Sequence, residues 1–224
     1  MKRVYIVTDV DLTEKSAQPV HLFSLAKYLG RLGLEVCVIY PFWQRELPEI
    51  PLGVTGVPIR VPQKPFTRAR AFQVKLLVEL SRLPRPDILY VRLSAGMVAP
   101  LIWCSITGMP FFVEVNGIMD LEYLMMQNKV TNVRTWLKVW RIRVIENLNL
   151  RKARGIIFVT DQLKTYYIQR YRISPEKATV INNGVDLEIF RPMDKQQSRR
   201  QLGIPEGPTL LGFIGSLAPW QGID

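Results

Sequence analysis

Val4-Tyr5-Ile6-Val7-Thr8 and Glu35-Val36-Cys37-Val38-Ile39-Tyr40, with Leu22, Leu25, Ala26, Leu29 and Leu32 recurring between them, form the stretch from which the fold can be read. Both runs are apolar at nearly every position rather than at alternate ones. That is the pattern of strands covered on both faces. The leucines between them repeat at helical spacing, Pro19 suits the first turn of that helix, and Gly33 suits its end. Strand, helix and strand of this size make a βαβ unit, whose crossover is right-handed.

The same alternation runs outward along the chain. Strands are expected at Val57–Val61, Asp87–Val91, Phe111–Val115, Gly155–Thr160 and Thr179–Ile181. Helices are expected at Ala69–Leu83, Ala95–Ile106 and Asp161–Tyr171, with a longer helical stretch, broken once or twice, from about Leu121 to Lys152. Repeated β-then-α order with apolar strands predicts an α/β, doubly wound parallel sheet of the Rossmann-like kind. Residues 183–208 are polar and rich in turn formers and read as a linker, with one helix at Lys195–Leu202. Thr209–Ile214 reads as a new strand, so the expected organisation is a domain over 1–182, a linker over 183–208, and the opening of a second, truncated domain over 209–224.

Composition narrows the function classes. The chain has 224 residues, 48% hydrophobic and 22% charged, which excludes disorder, collagen and coiled coil. Cys37 and Cys104 sit in apolar runs without metal-ligand spacing, and His21 is the single histidine, so no multi-histidine metal site is expected. The apolar run after Met1-Lys2-Arg3 is interrupted by Asp9 and Asp11, against a signal peptide. Leu93–Val113 is uncharged and long enough to cross a bilayer, but Pro100, Gly108 and Pro110 divide it. A helix ending near Gly108 and a buried strand from Phe111 are expected there instead.

The charge is uneven. Thirty Lys and Arg against 19 Asp and Glu give +11. Residues 60–85 and 130–154 each hold seven bases and one acid, and the remainder is close to neutral. In the second segment Arg134, Lys138 and Arg141 align at i, i+4 and i+7, beside an apolar stripe of Trp136, Trp140, Val144 and Leu148. Two readings stand: a basic amphipathic helix with tryptophans for an anionic membrane surface, or a core-packed helix with a solvated charged face. No DNA- or RNA-binding motif is present, so no specific nucleic acid is expected.

Three further stretches, taken together, carry a resemblance. They are Gly155-Ile-Ile-Phe-Val-Thr-Asp-Gln-Leu-Lys164, then Val180-Ile-Asn-Asn-Gly-Val-Asp186 with Phe190-Arg-Pro192, and Gly212-Phe-Ile-Gly-Ser-Leu-Ala-Pro-Trp-Gln-Gly-Ile-Asp224. With His21-Leu-Phe-Ser-Leu-Ala-Lys-Tyr-Leu and Leu34-Glu-Val-Cys-Val they resemble glycosyltransferase family 4, enzymes of the two-domain GT-B fold. The resemblance implies the N-terminal, acceptor-side domain of such an enzyme, with residues 209–224 opening the nucleotide-sugar-binding domain. It implies retaining, metal-independent transfer from a nucleotide-sugar donor, with no bound cofactor, to a glycan or glycolipid acceptor of the cell envelope. The expected location is the cytoplasm, at the inner face of the membrane. Alone, the chain is expected to be inactive.

The resemblance also nominates site residues. On the acceptor side, Ser16 and Ala17 stand where the family usually has a Gly-Gly pair, and His21 follows at the helix start as a structural contact or a catalytic group. Asn116 stands where many relatives have a histidine that contacts the donor sugar, so it is the catalytic candidate. The alternative makes Asn116 a turn residue, with Gly117 supplying a positive φ. Glu114, Glu122 and Asp120 are acids nearby, Asp120 as a helix cap, and Asp161 is an N-cap facing the interdomain cleft. On the donor side are Asn183 and Gly184, a turn signal in any fold, and Gly215, Ser216 and Gln221, where relatives carry two basic residues. A rival reading without these matches is a non-catalytic Rossmann-like module recruiting an anionic partner.

Overall fold

The structure is a computed structural model that describes residues 1–44, 46–127, 132–187 and 189–215. Its strands and helices follow in the order β1 (Arg3–Val7), α1 (Ala17–Arg31), β2 (Glu35–Phe42), β3 (Val54–Arg60), α2 (Pro65–Arg82), β4 (Ile88–Arg92), α3 (Ala99–Thr107) and β5 (Phe111–Val115). Then come α4 (Met119–Met126), α5 (Val133–Lys152), β6 (Gly155–Phe158), α6 (Asp161–Tyr171), β7 (Ala178–Val180) and α7 (Lys195–Gln201). The chain divides into two compact units, 1–182 and 183–224.

In the first unit, seven strands form one sheet in the order β3-β2-β1-β4-β5-β6-β7, and every pairing is parallel. The doubly wound, Rossmann-like class expected from the sequence is the class found. The chain steps from β1 outward to β2 and β3, then returns past β1 to β4 and continues the other way. Right-handed crossovers therefore put α1 on one face and the later helices on the other. Alternation along the strands fills both faces. Val4, Ile6, Val36 and Val38 pack with Leu22 and Ala26 of α1. Tyr5, Val7, Cys37 and Ile39 belong to the larger core, which includes Phe72, Leu76 and Leu80 of α2. Burial pushes the free thiols of Cys37 and Cys104 up to about 11 and about 12, so both behave as small hydrophobes.

Several boundaries differ from the sequence reading, each for a local reason. α2 begins at Pro65 rather than Ala69, because proline at the first helical position loses no hydrogen bond. The same rule starts α3 at Ala99 rather than Ala95, since Pro100 fits only its first turn. The long helical stretch is two helices, and α5 starts where Asn132 caps it by accepting from the Thr135 amide at 2.9 Å. The uncharged stretch around Gly108 is α3 followed by β5, and no described helix is long and apolar enough to cross a membrane.

The second unit contains α7, capped by Asp194, which accepts from the Gln197 amide at 2.8 Å. Arg199 donates to the Pro205 and Pro208 carbonyls at 2.7 and 2.6 Å, folding the following loop back on the helix. Residues 209–214, expected as a strand, form none in the structure. A strand exists through hydrogen bonds to a neighbour, no described strand pairs with them, and Leu211 and Ile214 are fully exposed.

Gly108 ends α3 with φ 66°, a left-handed conformation that a side chain disfavours. Gly108→Ala is expected to lower stability by about 1 kcal/mol, read as a lower midpoint in urea with an unchanged slope.

Candidate functional site

In open parallel sheets, ligands bind beyond the carboxyl ends of the strands, where the strand order reverses. Here that point lies between β1 and β4. The loop after β1 is held in shape by Asp11, whose Oδ1 accepts from the Thr13 amide at 3.0 Å and from its hydroxyl at 2.6 Å. An open cleft of about 1220 Å³ adjoins it, lined by Thr13, Lys15, Ser16, Ala17, Gln44 and Gln63 among others. Ser16 precedes α1 in extended conformation but its hydroxyl caps nothing, and the first turn of α1 holds no acid. Ser16 and Ala17 are both exposed at the rim of this cleft.

Apart from that cleft, β4 and β5 place a buried carboxylate among donors, and His21, Tyr90 and Glu114 line a second cavity of about 310 Å³. Glu114, 2% exposed, accepts from His21 Nε2 at 2.8 Å and from the Tyr90 hydroxyl at 2.6 Å. Arg92 Nη1 lies 3.6 Å from the same oxygen that His21 reaches. Register explains the grouping: Arg92 is the Cα partner of Glu114, and Tyr90 lies two residues before Arg92 on the same face. Burial works to raise the Glu114 carboxyl, but the His21 and Tyr90 hydrogen bonds, helped by the charge of Arg92, hold it below the usual carboxylate range. Burial and the adjoining carboxylate push the Tyr90 phenol up, so it serves as a donor.

At this edge Arg92 meets Glu114 by charge and not by a hydrogen bond. Arg92 Nη1 and Asn116 Nδ2 are buried and have no hydrogen-bond partner within the protein. Buried donors without partners are rare in folded proteins, and a ligand oxygen would satisfy both. Asn116 follows β5 directly and its amide cannot change charge, so it can orient a hydroxyl but not carry a proton. The sequence reading did not single out Arg92 or Tyr90. The signal was a base at the carboxyl end of an otherwise apolar strand.

Gly117 departs from expectation. Its φ is not among the positive values; its lack of a side chain matters because a Cβ there would fall 1.9 Å from Glu122 Oε1. Glu122 lies in the first turn of α4, so its carboxylate closes one side of the Asn116-Gly117 turn. Asp120 is not a cap: it is fully buried and pairs with Arg143 of α5 at 2.8 Å and with Arg170 of α6. Burial opposes its charge, but the two guanidiniums hold its carboxyl below the usual range. Asp161 is the exposed first residue of α6, and the cap is Thr160, which accepts from the Leu163 amide at 3.2 Å.

On the second unit, Asn183, Gly184 and Gly215 are exposed. Asn183-Gly184 makes no turn; the chain turns later, where the Asp186 carbonyl accepts from the Phe190 amide at 2.8 Å. Ser216 and Gln221 lie outside the described residues. Among the described residues, no group of three His, Cys, Asp or Glu could hold a metal ion.

On α5, the inward face is Thr135, Val139, Ile142, Glu146, Asn149 and Leu150. The apolar stripe is turned outward at Trp136, 58% exposed, and Trp140, 59% exposed, with Arg134, Lys138 and Arg141 exposed beside them. Lys138 Nζ sits 4.2 Å from the centroid of the Tyr123 ring. The helix is therefore packed on the core through Val139, Ile142 and Leu150 with its charged face solvated, while the two tryptophans stand exposed beside that face.

Asp120 and Glu114 both have lowered folded values, so the native state binds fewer protons than the unfolded chain. Their contribution is complete above about pH 5, is lost progressively as pH falls below the unfolded values, and is gone once pH is below the lowered folded ones. Asp120→Ala strands two guanidiniums, of which Arg143 remains 40% exposed and hydrated. A loss of roughly 2–3 kcal/mol at pH 7 is expected by urea unfolding, shrinking as the wild type is acidified.

Comparison with known proteins agrees with this fold. The family model described as Glycosyltransferase Family 4 matches residues 18–189. A D-inositol 3-phosphate glycosyltransferase of Thermobispora bispora is 44% identical over 221 residues, covering 92% of this chain and 50% of that protein. A protein of the same name from Thermomonospora curvata is 25% identical over 228 residues, with 92% and 51% covered. Among solved structures, sucrose-phosphate synthase from Thermosynechococcus elongatus aligns with a TM-score of 0.66 at 13% identity, over 92% of this chain and 53% of that one. Anabaena HepE in complex with UDP-glucose aligns with a TM-score of 0.54 at 16% identity, over 91% and 50%. The likeness to these two structures is one of fold, the GT-B fold. The chain spans about half the length of the curated relatives it matches. It belongs to glycosyltransferase family 4.

Proposed function

We propose that residues 1–182 form the acceptor-side domain of a retaining, metal-independent glycosyltransferase that moves a sugar from a nucleoside-diphosphate sugar to a hydroxyl acceptor. The observation that carries this reading is the pair of buried groups without a hydrogen-bond partner, Arg92 Nη1 and Asn116 Nδ2, at the strand-order reversal of a family 4 domain. Asn116 orients a sugar hydroxyl, while Arg92 receives a negatively charged oxygen of the acceptor. Arg92 is held by the charge of Glu114, and Glu114 by His21 and Tyr90. The name shared by the relatives supports a phosphorylated polyol as acceptor, free or as the head group of a cell-envelope glycolipid. In this reading the donor is held by the other half of the protein, beginning with the residues after Asn182, and the 224-residue chain alone transfers no sugar.

The test is transfer by the protein carrying both halves, with the anomeric configuration of the product read by proton NMR. Retention is expected. Arg92→Ala should raise KM for a phosphorylated acceptor roughly 10- to 100-fold, the worth of one hydrogen bond to a charged group. An unchanged KM for that acceptor would remove Arg92 from the site.

The exposed face of α5 supports a peripheral membrane contact at the cytoplasmic leaflet, since tryptophan and bases side by side suit an anionic interface. Sedimentation should show binding to vesicles enriched in anionic lipid and not to neutral ones. Replacing Arg134, Lys138 and Arg141 together should weaken it roughly 100-fold, at about 1 kcal/mol per base. Equal binding to both vesicle types would refute the contact.

A further inference from the structure

Behind the Asn116-Gly117 turn lies a buried group that the proposed reaction does not use. The Tyr167 hydroxyl is 2.9 Å from the Gly117 carbonyl oxygen and 2.6 Å from Glu146 Oε1. The Tyr171 hydroxyl hydrogen bonds the other oxygen, Glu146 Oε2. Glu146 is 1% exposed and Tyr167 is fully buried, so water does not complete these bonds.

Counting protons decides what the group is. A phenol has one proton to give, and a carbonyl oxygen only accepts. If Glu146 were ionised, Tyr167 would turn its proton to that charge, leaving the Gly117 carbonyl facing a bare phenol oxygen. One proton on Glu146 Oε1 satisfies every contact. The carboxyl donates to Tyr167, Tyr167 donates to the Gly117 carbonyl, and Tyr171 donates to Glu146 Oε2.

We propose that Glu146 is held protonated and is a positioning residue: through Tyr167 it fixes the Gly117 carbonyl, and with it the turn that carries Asn116. The groups facing it are Tyr167, Tyr171 and Arg170 from α6, Asp120 from α4, and Arg143 from its own helix by way of Asp120. Asp120 occupies both arginines. Burial raises the Glu146 carboxyl, and Asp120 raises it further against the pull of the two phenols and Arg170. A folded value raised in this way means that the relay is intact at low pH and is lost as pH climbs through that value. Its weight for function rests on the reading of Asn116 given above; the relay itself does not.

The test is carbon-13 NMR of the uniformly labelled 224-residue chain, which reads the relay without any transfer assay. At pH 6 an ordinary glutamate is about 98% ionised. The Glu146 side-chain carboxyl is expected at the protonated position at that pH; an ionised signal overturns the proposal. The Gly117 carbonyl resonance should shift in Tyr167→Phe, which has no proton to give. It should stay at its wild-type position in Glu146→Gln, whose amide donates to Tyr167 as the protonated carboxyl does. A Gly117 signal unmoved in Tyr167→Phe, or displaced in Glu146→Gln, overturns it equally. If Tyr167→Phe does not fold, the wild-type carboxyl signal and Glu146→Gln decide. Loss of the sugar-transfer reading would leave these resonances as they are.

Discussion

The handedness of the crossovers is the constraint on which this molecule depends. A parallel sheet built by right-handed connections must reverse the direction in which strands are added if both faces are to receive helices. Here the reversal falls between β1 and β4. At that point the loops after adjacent strands diverge, one toward α1 and the other toward the opposite face. The gap between them can hold a ligand, and the residues at its edge are those whose side chains need not fill a core.

Within that gap, charge is organised by burial. Glu114 would be costly in a parallel sheet without its donors, and His21, Tyr90 and Arg92 stabilise its ionised form. Asp120 repeats the arrangement a few residues later with two arginines. Glu146 takes the other route: with phenols rather than a free cation as partners, it is neutral in the relay that reaches Gly117. Three carboxyls, two of them kept charged and one kept neutral, surround a single turn carrying Asn116.

Much of this was legible in the sequence. Apolar runs such as Val36 to Ile39 and the leucines of α1 state their strand and helix directly, because hydrophobic periodicity is a local property. Helix starts at Pro65 and Ala99 could have been read from proline chemistry. Long-range pairing could not. Nothing local tells that Asp120 meets Arg170, 50 positions away, rather than capping α4. The same holds for the Trp136 and Trp140 stripe, since periodicity shows that a helix has an apolar face but not which face the sheet covers. Residues 209–214 mark the opposite limit, an apolar run that needs a neighbour before it becomes a strand.

The central claim is that ligands lie at the carboxyl edge where the strand order reverses. Its most direct measurement is a nitrogen-15 chemical-shift map of the 224-residue chain titrated with an inositol phosphate. The account predicts shifts concentrated at residues 9–17, 92–94 and 116–117. Shifts confined to the opposite edge of the sheet, at residues 32–35, 84–87 and 153–155, would contradict it.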